Sequence, residues 1–487
     1  MDKDGQDKLL SQVAYLERAS ARLEMNGAER EEAWQKVKGY TEQFLNSLAT
    51  AKAYEKNGYD RTKQDDQFNI GNETASLPQT LTLLEQRVDA TGLNPPSGGH
   101  LGYIPAGGLY LSALADYIAA ITNRYAGVFY ASPGAVRIEN AVVKWTGELV
   151  GYKENFGGNL TSGGSFANLI AIATARYAHR IRPKEVERSV VYICRQAHHS
   201  ILKALRICGL DESIMRIIDL DEYYRMDVQK LRTQVIEDVA AGLKPFILFA
   251  NAGSTDAGAV DDLEEMAAVA KAHGLWLHVD AAYGGFFLLT ESGRDKLKGI
   301  ELADSVIMDP HKGMFIPYGL GIVLVKNVQH LLGANHFDAN YMEDTLQQNQ
   351  EYSPSQLSPE LSKHFRGLRM WLPLKLLGSK PFAASLDEKL LLAQYFYEQV
   401  KTLGFATGPF PDLSIVMFWY QPASGDANEY NRRLLNYLQK DGRIFISATY
   451  ISGKMYLRFV ALSFRTHLAQ TDLLLSLLKN FVEKEIV

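Results

Sequence analysis

Two charged residues adjoin apolar segments of the chain, at points where a buried strand of a sheet would end. Asp280 lies in the apolar run Leu275–Ala281, and Lys312 follows the run Asp304–Asp309. A carboxylate among apolar residues is costly unless a cation pairs with it, and a desolvated lysine is a nucleophile for aldehydes. Taken singly, Asp280 could equally cap a helix, and Lys312 could be a solvated turn lysine.

Three further polar segments contain residue types that suit a flat, phosphorylated ligand. Gly164 and Ser165, in the segment Thr161–Asn168 ahead of a helix, could cradle an anion, because glycines admit a ligand to backbone amides. His198 could stack on a ring, and Thr255 could meet a ring oxygen or a phosphate. Each segment also has a simpler interpretation, respectively a capped turn, a hydrogen-bonded turn histidine and a polar loop.

These segments are expected at one edge of a sheet, the carboxyl ends of its strands, where α/β proteins bind ligands. Together they supply an anion cradle, a ring stacker, a carboxylate partner for a protonated pyridine nitrogen and an imine-forming lysine. The combination predicts pyridoxal 5'-phosphate as the cofactor, with Lys312 as its point of attachment.

Four short motifs also carry a family resemblance: Gly164-Ser165, Gln196-Ala197-His198, His278-Val279-Asp280-Ala281-Ala282 and Pro310-His311-Lys312. With them the chain resembles the group II pyridoxal-phosphate-dependent amino-acid decarboxylases, which include aromatic-L-amino-acid, histidine and glutamate decarboxylases. It is closest in style to the aromatic enzymes. The resemblance is detailed from about residue 103 to 375, and the 32 residues that separate Asp280 from Lys312 look ungapped relative to the family.

The resemblance implies a role for each matching residue. Lys312 would hold the cofactor as an imine, Asp280 would pair with the pyridine nitrogen, and His198 would stack on the ring. The other implied cofactor contacts are Gly164 and Ser165 at the phosphate, Thr255 and Ala282 along the ring, and Asp309 and His311 beside the lysine. Two positions depart from the family: Asp309 stands where many relatives have Asn, and Gly313 where a Trp commonly follows the lysine of the aromatic enzymes.

Tyr341 bears on the type of reaction. It follows Lys312 by 29 residues, which matches the mobile-loop tyrosine of these decarboxylases. By resemblance it would protonate the carbanion left after carbon dioxide departs, whereas relatives with Phe there tend to be oxidative aldehyde synthases. The polar segment 334–358 is predicted to be a closing lid. Lys312, Tyr341, His198 and Asp280 are therefore the predicted catalytic residues.

The predicted substrate is an aromatic L-amino acid. Tyr103, Pro105 and Ala106 resemble the pocket wall of the aromatic enzymes, although Ala106 replaces a residue that is often Thr. The segment Phe365–Trp371 also looks closer to that branch. An acidic or diamino acid stays open as the substrate, as do an aminotransferase or carbon–carbon lyase reaction and a catalytically inactive binding protein.

The pattern of elements predicts an α/β fold, the fold type I of pyridoxal-phosphate-dependent transferases. Contiguous apolar runs indicate strands of a mainly parallel, seven-stranded-type sheet that is buried on both faces, although the run Gly319–Val325 could pair antiparallel. Three parts are expected: an N-terminal helical dimer clasp (1–95), a large cofactor-binding domain (96–377) and a small α+β domain (378–487). The small domain has predicted strands at Leu413–Tyr420, Arg443–Ser447 and Lys454–Ala461.

Composition bounds the remaining possibilities. The net charge is −5, from 51 basic and 56 acidic residues, and no basic run suggests nucleic-acid binding. Two cysteines argue against a disulfide framework, and no metal site is predicted. A polar start and the lack of an 18-residue apolar run predict a cytoplasmic protein without a membrane partner. The resemblance further implies a homodimer with shared active sites.

Overall fold

The computed structural model describes residues 3–56, 68–72, 74–104, 106–336 and 351–486. They form two compact units, one from the described parts of residues 1–51 and 55–94, the other from 52–54 and 95–487. The division of the chain into three domains at residues 95 and 377 stays a prediction.

The smaller unit is helical. Its helices are α1 (Lys3–Ser20), α2 (Gly27–Ser47) and α3 (Leu77–Leu84). Asn26 starts α2 with a reciprocal side-chain cap to Glu29, which satisfies backbone amides that the first helical turn leaves unpaired. None of the three helices contains a buried residue.

The larger unit is built on a seven-stranded sheet, which confirms the predicted fold class. Its strands in chain order are β1 (Gly157–Thr161), β2 (Ser189–Cys194), β3 (Ile214–Ile218), β4 (Lys244–Asn251), β5 (Trp276–Asp280), β6 (Ser305–Met308) and β7 (Gly321–Val325). Their spatial order is β1-β7-β6-β5-β4-β2-β3. Strand β7 is antiparallel to both of its neighbours, and the other neighbouring strands are parallel.

The sequence pattern does not predict β1 and β3. The first reads Gly-Gly-Asn-Leu-Thr and contains one large apolar residue, Leu160, so it lacks an apolar run. The second is an edge strand that leaves Met215 and Ile217 40% and 52% exposed. Both are held in the sheet by pairing with a strong neighbouring strand, which is a tertiary effect.

Helices cover both faces of the large sheet. In β4, Leu248 and Ala250 pack into one apolar cluster, while Ile247 and Phe249 pack into the other. Because successive strand residues point to opposite faces, this alternation shows a sheet buried on both sides. The helices of this unit that precede residue 378 are α4 (Tyr110–Thr122), α5 (Pro133–Val150), α6 (Gly164–Ala178), α7 (His199–Ile207), α8 (Val228–Ala240), α9 (Leu263–His273), α10 (Glu291–Lys296), α11 (Pro310–Gly313), α12 (Val328–Asn335) and α13 (Gly367–Leu377).

The C-terminal part is an antiparallel sheet packed with helices. Its strands are β8 (Phe405–Thr407), β9 (Ile415–Tyr420), β10 (Ser447–Ile451) and β11 (Lys454–Val460), in the spatial order β8-β9-β11-β10. Its helices are α14 (Lys380–Thr402), α15 (Ala427–Asp441) and α16 (Leu468–Ile486). The prediction of a strand over Arg443–Ser447 was wrong. That segment instead bonds the loop around Gly99 and Leu101 through Phe445, and the strand begins at Ser447.

A buried ion pair holds the segment 351–367 against α5. Lys363 Nζ lies 2.7 Å from Glu139 Oε2, and it also donates to Asn159 Oδ1 and to the carbonyl of Leu160. Gly367 N donates to Glu139 Oε1 at 2.7 Å. These additional bonds offset the desolvation that a buried pair costs. The described end of the predicted lid, 351–358, is also attached to the body of the protein, since Asn140 Nδ2 donates to the carbonyl of Tyr352 and Asn159 Nδ2 to that of Pro354.

Candidate active site

A cavity of about 490 Å³ lies at the carboxyl edge of the large sheet. Predicted site residues from five separate segments line it: Gly164, Ser165, His198, Thr255, Asp280, Ala282, Asp309, His311 and Lys312. Tyr103 and Ala106 are described but do not line this cavity, and Pro105 and Tyr341 lie outside the described residues. The structure thus brings together the predicted cofactor contacts but not the predicted substrate contacts.

The strand order explains why residues distant in sequence meet here. Asp280 is the last residue of β5, and Lys312 lies in α11 directly after β6, the parallel neighbour of β5. His198 caps the start of α7 after β2, and Gly164 begins α6 after β1. Because all four strands run in the same direction, their following segments converge on one edge.

The residues of the predicted anion cradle lie at the start of α6, where glycines are needed for close packing. A Cβ on Gly164 would lie 2.9 Å from Asp309 Oδ2, and a Cβ on Gly321 would lie 2.8 Å from Asp309 Oδ1. Neither position leaves room for a side chain while Asp309 stays in place. At the start of the 15-residue helix α6, the amides of Phe166 and Ala167 donate to the carbonyl of Gly163, and those of Gly164 and Ser165 precede them at the helix end, which favours an anion.

Asp280 is held by a buried asparagine that the sequence reasoning missed. Asn168, 1% exposed, donates from Nδ2 to Asp280 Oδ2 at 3.1 Å, and the backbone amide of Ala282 donates to Asp280 Oδ1 at 3.1 Å. The same Nδ2 donates to Ser200 Oγ at 3.1 Å. Asn168 was visible in the sequence as the end of the glycine-rich motif, but nothing there indicated its partners.

The hydrogen bonds behind Asn168 have a fixed direction. Because the carboxylate of Asp280 only accepts, Asn168 turns its NH₂ toward it and its Oδ1 toward His278 Nε2, 2.8 Å away. Burial lowers the pKa of His278 to about 4, so the ring is neutral with its proton on Nε2. Its Nδ1 then accepts from Ser305 Oγ at 2.8 Å, which itself accepts from Trp276 Nε1.

His198 is oriented through the same asparagine. Its Nδ1 accepts from the backbone amide of Ser200 and lies 2.7 Å from Ser200 Oγ, which also accepts from Asn168. Since an amide N–H can only donate, Nδ1 is the acceptor, and the proton of the neutral ring is on Nε2. Burial lowers the pKa of His198, while Asp280 acts in the opposite direction.

Lys312 lies beside a carboxylate in this structure. Its Nζ is 3.1 Å from Asp309 Oδ2, and His311 Nε2 is 3.7 Å from the same oxygen. Asp309 is 2% exposed, and its Oδ1 has no hydrogen-bond partner among the described residues. A buried oxygen of this kind calls for a further group in the cavity.

Thr255 is positioned from the C-terminal sheet by a buried arginine that the sequence reasoning also missed. Arg458, on β11 and 3% exposed, donates to the carbonyls of Thr255 and Asp256 and to Ser447 Oγ. Ser447 Oγ also accepts from the backbone amide of Tyr103. These bonds connect the C-terminal sheet to the loop that follows β4.

The residues present fit pyridoxal phosphate. The start of α6 offers helix-terminal amides for the phosphate, Asp280 has spare acceptor capacity for a pyridinium, and Asp309, which lines the same cavity, has one buried oxygen without a hydrogen-bond partner among the described residues. Among the described residues no group of three or more His, Cys, Asp or Glu side chains is arranged to hold a metal ion. No helix of the described chain is long and apolar enough to cross a membrane.

An α/β sheet of this topology, with a lysine, a buried aspartate and an anion cradle on one carboxyl edge, defines a fold type I pyridoxal-phosphate enzyme. Residues 97–421 match the family model described as the pyridoxal-dependent decarboxylase conserved domain. The chain belongs to this family of pyridoxal-phosphate-dependent amino-acid decarboxylases, which are carboxy-lyases.

Individual relatives agree with this membership. The chain is 34% identical over 374 residues to an aromatic-L-amino-acid decarboxylase of Bacillus atrophaeus, covering 75% of this chain and 77% of the relative. It is 31% identical over 326 residues to an acidic amino acid decarboxylase of Bos taurus, covering 65% and 62%. The crystal structure of Oryza sativa TDC with PLP and tryptamine superposes with a TM-score of 0.87 at 22% identity, covering 95% of this chain and 99% of that one.

Replacing Asn168 with Leu is expected to weaken cofactor binding by about 10- to 100-fold. The change removes a hydrogen bond to the charged Asp280, a type of bond that contributes about 1.5–3 kcal/mol, and also releases Ser200. Titration of the cofactor-free protein with pyridoxal phosphate, followed by tryptophan fluorescence, measures the affinity. Asn140→Leu is the control, because Asn140 makes one exposed bond to the carbonyl of Tyr352. Equal affinity in the two variants would contradict the role of Asn168.

Proposed function

We propose that this decarboxylase acts on an aromatic L-amino acid and releases the corresponding amine and carbon dioxide. The observation that supports it most is the convergence of Lys312, Asp280 and His198 on one cavity with an anion cradle. The 34% identical relative named for aromatic amino acids supports the substrate class.

The chemistry that pyridoxal phosphate supplies when bound is an electron sink for the pair of electrons left as carbon dioxide departs. Asp280 would hold a positive charge on the pyridine nitrogen, because its carboxylate is buried beside the cavity and Asn168 fixes its orientation. This buried anion therefore favours the charged ring over the neutral one.

His198 and Lys312 would handle protons and the amino group. His198 Nδ1 is occupied as an acceptor, so Nε2 is the ring nitrogen that can hold and deliver a proton. Lys312 Nζ is the amine that would hold the cofactor before the substrate arrives and displace the product afterwards. Asp309 Oδ2, 3.1 Å from Nζ, would keep that amine near the cavity.

Tyr341 would protonate the substrate carbon after carbon dioxide has left, and so commit the reaction to the amine. The support is its 29-residue spacing from Lys312 in a family of decarboxylases. The described segment 351–358, which follows Tyr341 in the chain, is bonded to α5, for example by Asn140 Nδ2 to the carbonyl of Tyr352.

The cavity lining is mostly compatible with an aromatic side chain. Phe166, Leu169 and Ile207 give it an apolar wall between α6 and α7. One observation favours a second candidate, an acidic amino acid: Lys203 also lines the cavity and could pair with a side-chain carboxylate. The acidic amino acid decarboxylase of Bos taurus among the relatives supports that alternative.

Borohydride reduction of the cofactor-loaded protein is expected to fix one cofactor on Lys312, detected by peptide mass spectrometry. In Lys312→Ala the label should be lost, because the imine needs this amine. The matched control is Lys203→Ala, which removes the other lysine that lines the cavity. Label that persists in Lys312→Ala and disappears in Lys203→Ala would show that Lys203 binds the cofactor, and would contradict the assignment to Lys312.

A panel of L-amino acids is expected to show release of carbon dioxide and amine from the aromatic members only. In Tyr341→Phe, amine formation should fall at least tenfold, because the proton donor is missing, and in air-saturated buffer dissolved dioxygen should oxidise the unprotonated carbon, giving aldehyde, ammonia and hydrogen peroxide. Mass spectrometry of the products measures both, and Tyr352→Phe is the control for a nearby tyrosine. Decarboxylation of glutamate or aspartate instead would replace the aromatic proposal with the acidic one.

We further propose that the active enzyme is a homodimer with shared sites, in which the N-terminal helical unit contacts the partner subunit. Helix α1 supports this, because Leu9, Leu10, Val13 and Leu16 are 45–58% exposed on it. Light scattering should give twice the chain mass of 54.3 kDa, and replacing these four residues with Ser should reduce that mass. A monomer that retains full activity would refute the proposal.

The cytoplasmic location stays a prediction.

A further inference from the structure

The phosphate cradle contains a carboxylate that an incoming anion would meet. Gly164 begins α6, and its Cα lies so close to Asp309 that a Cβ would be 2.9 Å from Oδ2. An anion at the first amides of α6 would therefore lie next to Asp309. Two adjacent negative charges disfavour each other unless a proton or a cation neutralises one of them.

The neighbouring His311 is set up to receive that proton. Its Nδ1 lies 2.6 Å from the carbonyl oxygen of Leu320, which can only accept, so Nδ1 carries a hydrogen. In a neutral ring Nε2 is then an unprotonated acceptor, and it faces Asp309 Oδ2 at 3.7 Å. Two acceptors facing each other gain nothing until a proton lies between them.

The charges around this pair are few. Burial lowers the pKa of His311, while Asp309 acts in the opposite direction and Lys312 and Arg369 reinforce the lowering. Tyr318 packs on the His311 ring at 5.7 Å, and its pKa is raised, mainly by burial, so it stays neutral. From α7, His198 also faces Asp309. Without an anion in the cradle, Lys312 at 3.1 Å is the cation closest to Asp309.

We propose that the Asp309–His311 pair takes up one proton when the phosphate of the cofactor enters the cradle, and that this proton makes the pair a phosphate-binding element. It rests on the proposed function, because it places the phosphate at the start of α6. The new anion favours the protonated pair, and the unpartnered Asp309 Oδ1 supplies a site for the shared charge. The proton is assigned to the Asp309–His311 pair and not to either residue alone, since two groups this close titrate together.

The sign of the pH dependence follows from linkage. A pair that binds a proton only in the anion-bound state strengthens anion binding at low pH and loses that contribution as the pH rises. Because the pKa of free His311 is lowered from its ordinary value of 6.5, the loss begins near or below pH 6.5. From this point up to the pKa of the pair in the anion-bound state, the dissociation constant should rise about tenfold per pH unit, which corresponds to one proton, and above that pKa it should level off.

Inorganic sulfate tests the proposal, because it is an anion of the same shape that cannot hold a proton in this range. Binding of sulfate to the full-length, cofactor-free chain would be measured by calorimetry from pH 6.5 to 8.5, in buffers of different ionisation enthalpy. We expect uptake of about one proton per sulfate in the wild type. In Asp309→Asn and in His311→Asn we expect no uptake and an affinity that changes less than threefold over the same range.

Lys144→Gln is the control, because it removes an exposed titratable group on α5 that does not line the cavity, and it should keep the uptake. Equal uptake in the wild type and in Asp309→Asn would overturn the proposal, as would a wild type that binds sulfate without protons or does not bind it. The two proposals fail separately: a chain that decarboxylates amino acids in the substrate panel but takes up no proton with sulfate retains its function and loses only this inference.

Discussion

The active site depends on one buried amide, the side chain of Asn168. Its NH₂ group bonds both Asp280 and Ser200, and Ser200 in turn orients His198. The carboxylate of Asp280 and the imidazole of His198, which both line the cavity, are thus held by a single residue on α6. A buried carboxylate is tolerated only with such partners, so the position of α6 against the sheet determines whether the site exists at all.

Behind Asn168, the chain of bonds through His278 and Ser305 ends at Trp276, inside the sheet. Each bond has a single allowed direction, because it starts at a carboxylate that only accepts and ends at an indole that only donates. Such a chain resists rearrangement, since reversing one member would leave buried groups unpaired. Two residues of the His-Val-Asp motif therefore contribute to the site: Asp280 lines the cavity, and His278 bonds Asn168 and Ser305 within the sheet.

Another carboxylate that lines the cavity, that of Asp309, is less fully paired. Asp309 has one oxygen beside Lys312 and His311 and another without a partner among the described residues. In a protein interior, an unpaired polar atom at the edge of a cavity indicates where a ligand contributes. Both carboxylate oxygens of Asp280 accept hydrogen bonds, whereas one oxygen of Asp309 accepts none among the described residues. This difference matches a permanent positioning role for Asp280 and a ligand-dependent role for Asp309.

The sequence alone determined the cofactor and the fold class, because glycines before a helix, an aspartate ending an apolar run and a lysine after the next one are local signals. It also indicated the strands that precede His198, Thr255, Asp280 and Lys312, but not β1, which precedes Gly164. It could not indicate the roles of Asn168, Ser305 or Arg458, since Asn168 bonds Asp280 112 residues away, Ser305 bonds Trp276 29 residues away and Arg458 bonds Thr255 203 residues away, and only the tertiary structure brings these pairs together. The strands β1 and β3 likewise depend on neighbours for their stability. Residue type alone does not encode the direction of β7, the tautomers of the site histidines or the unpaired oxygen of Asp309. These are properties of the packed structure.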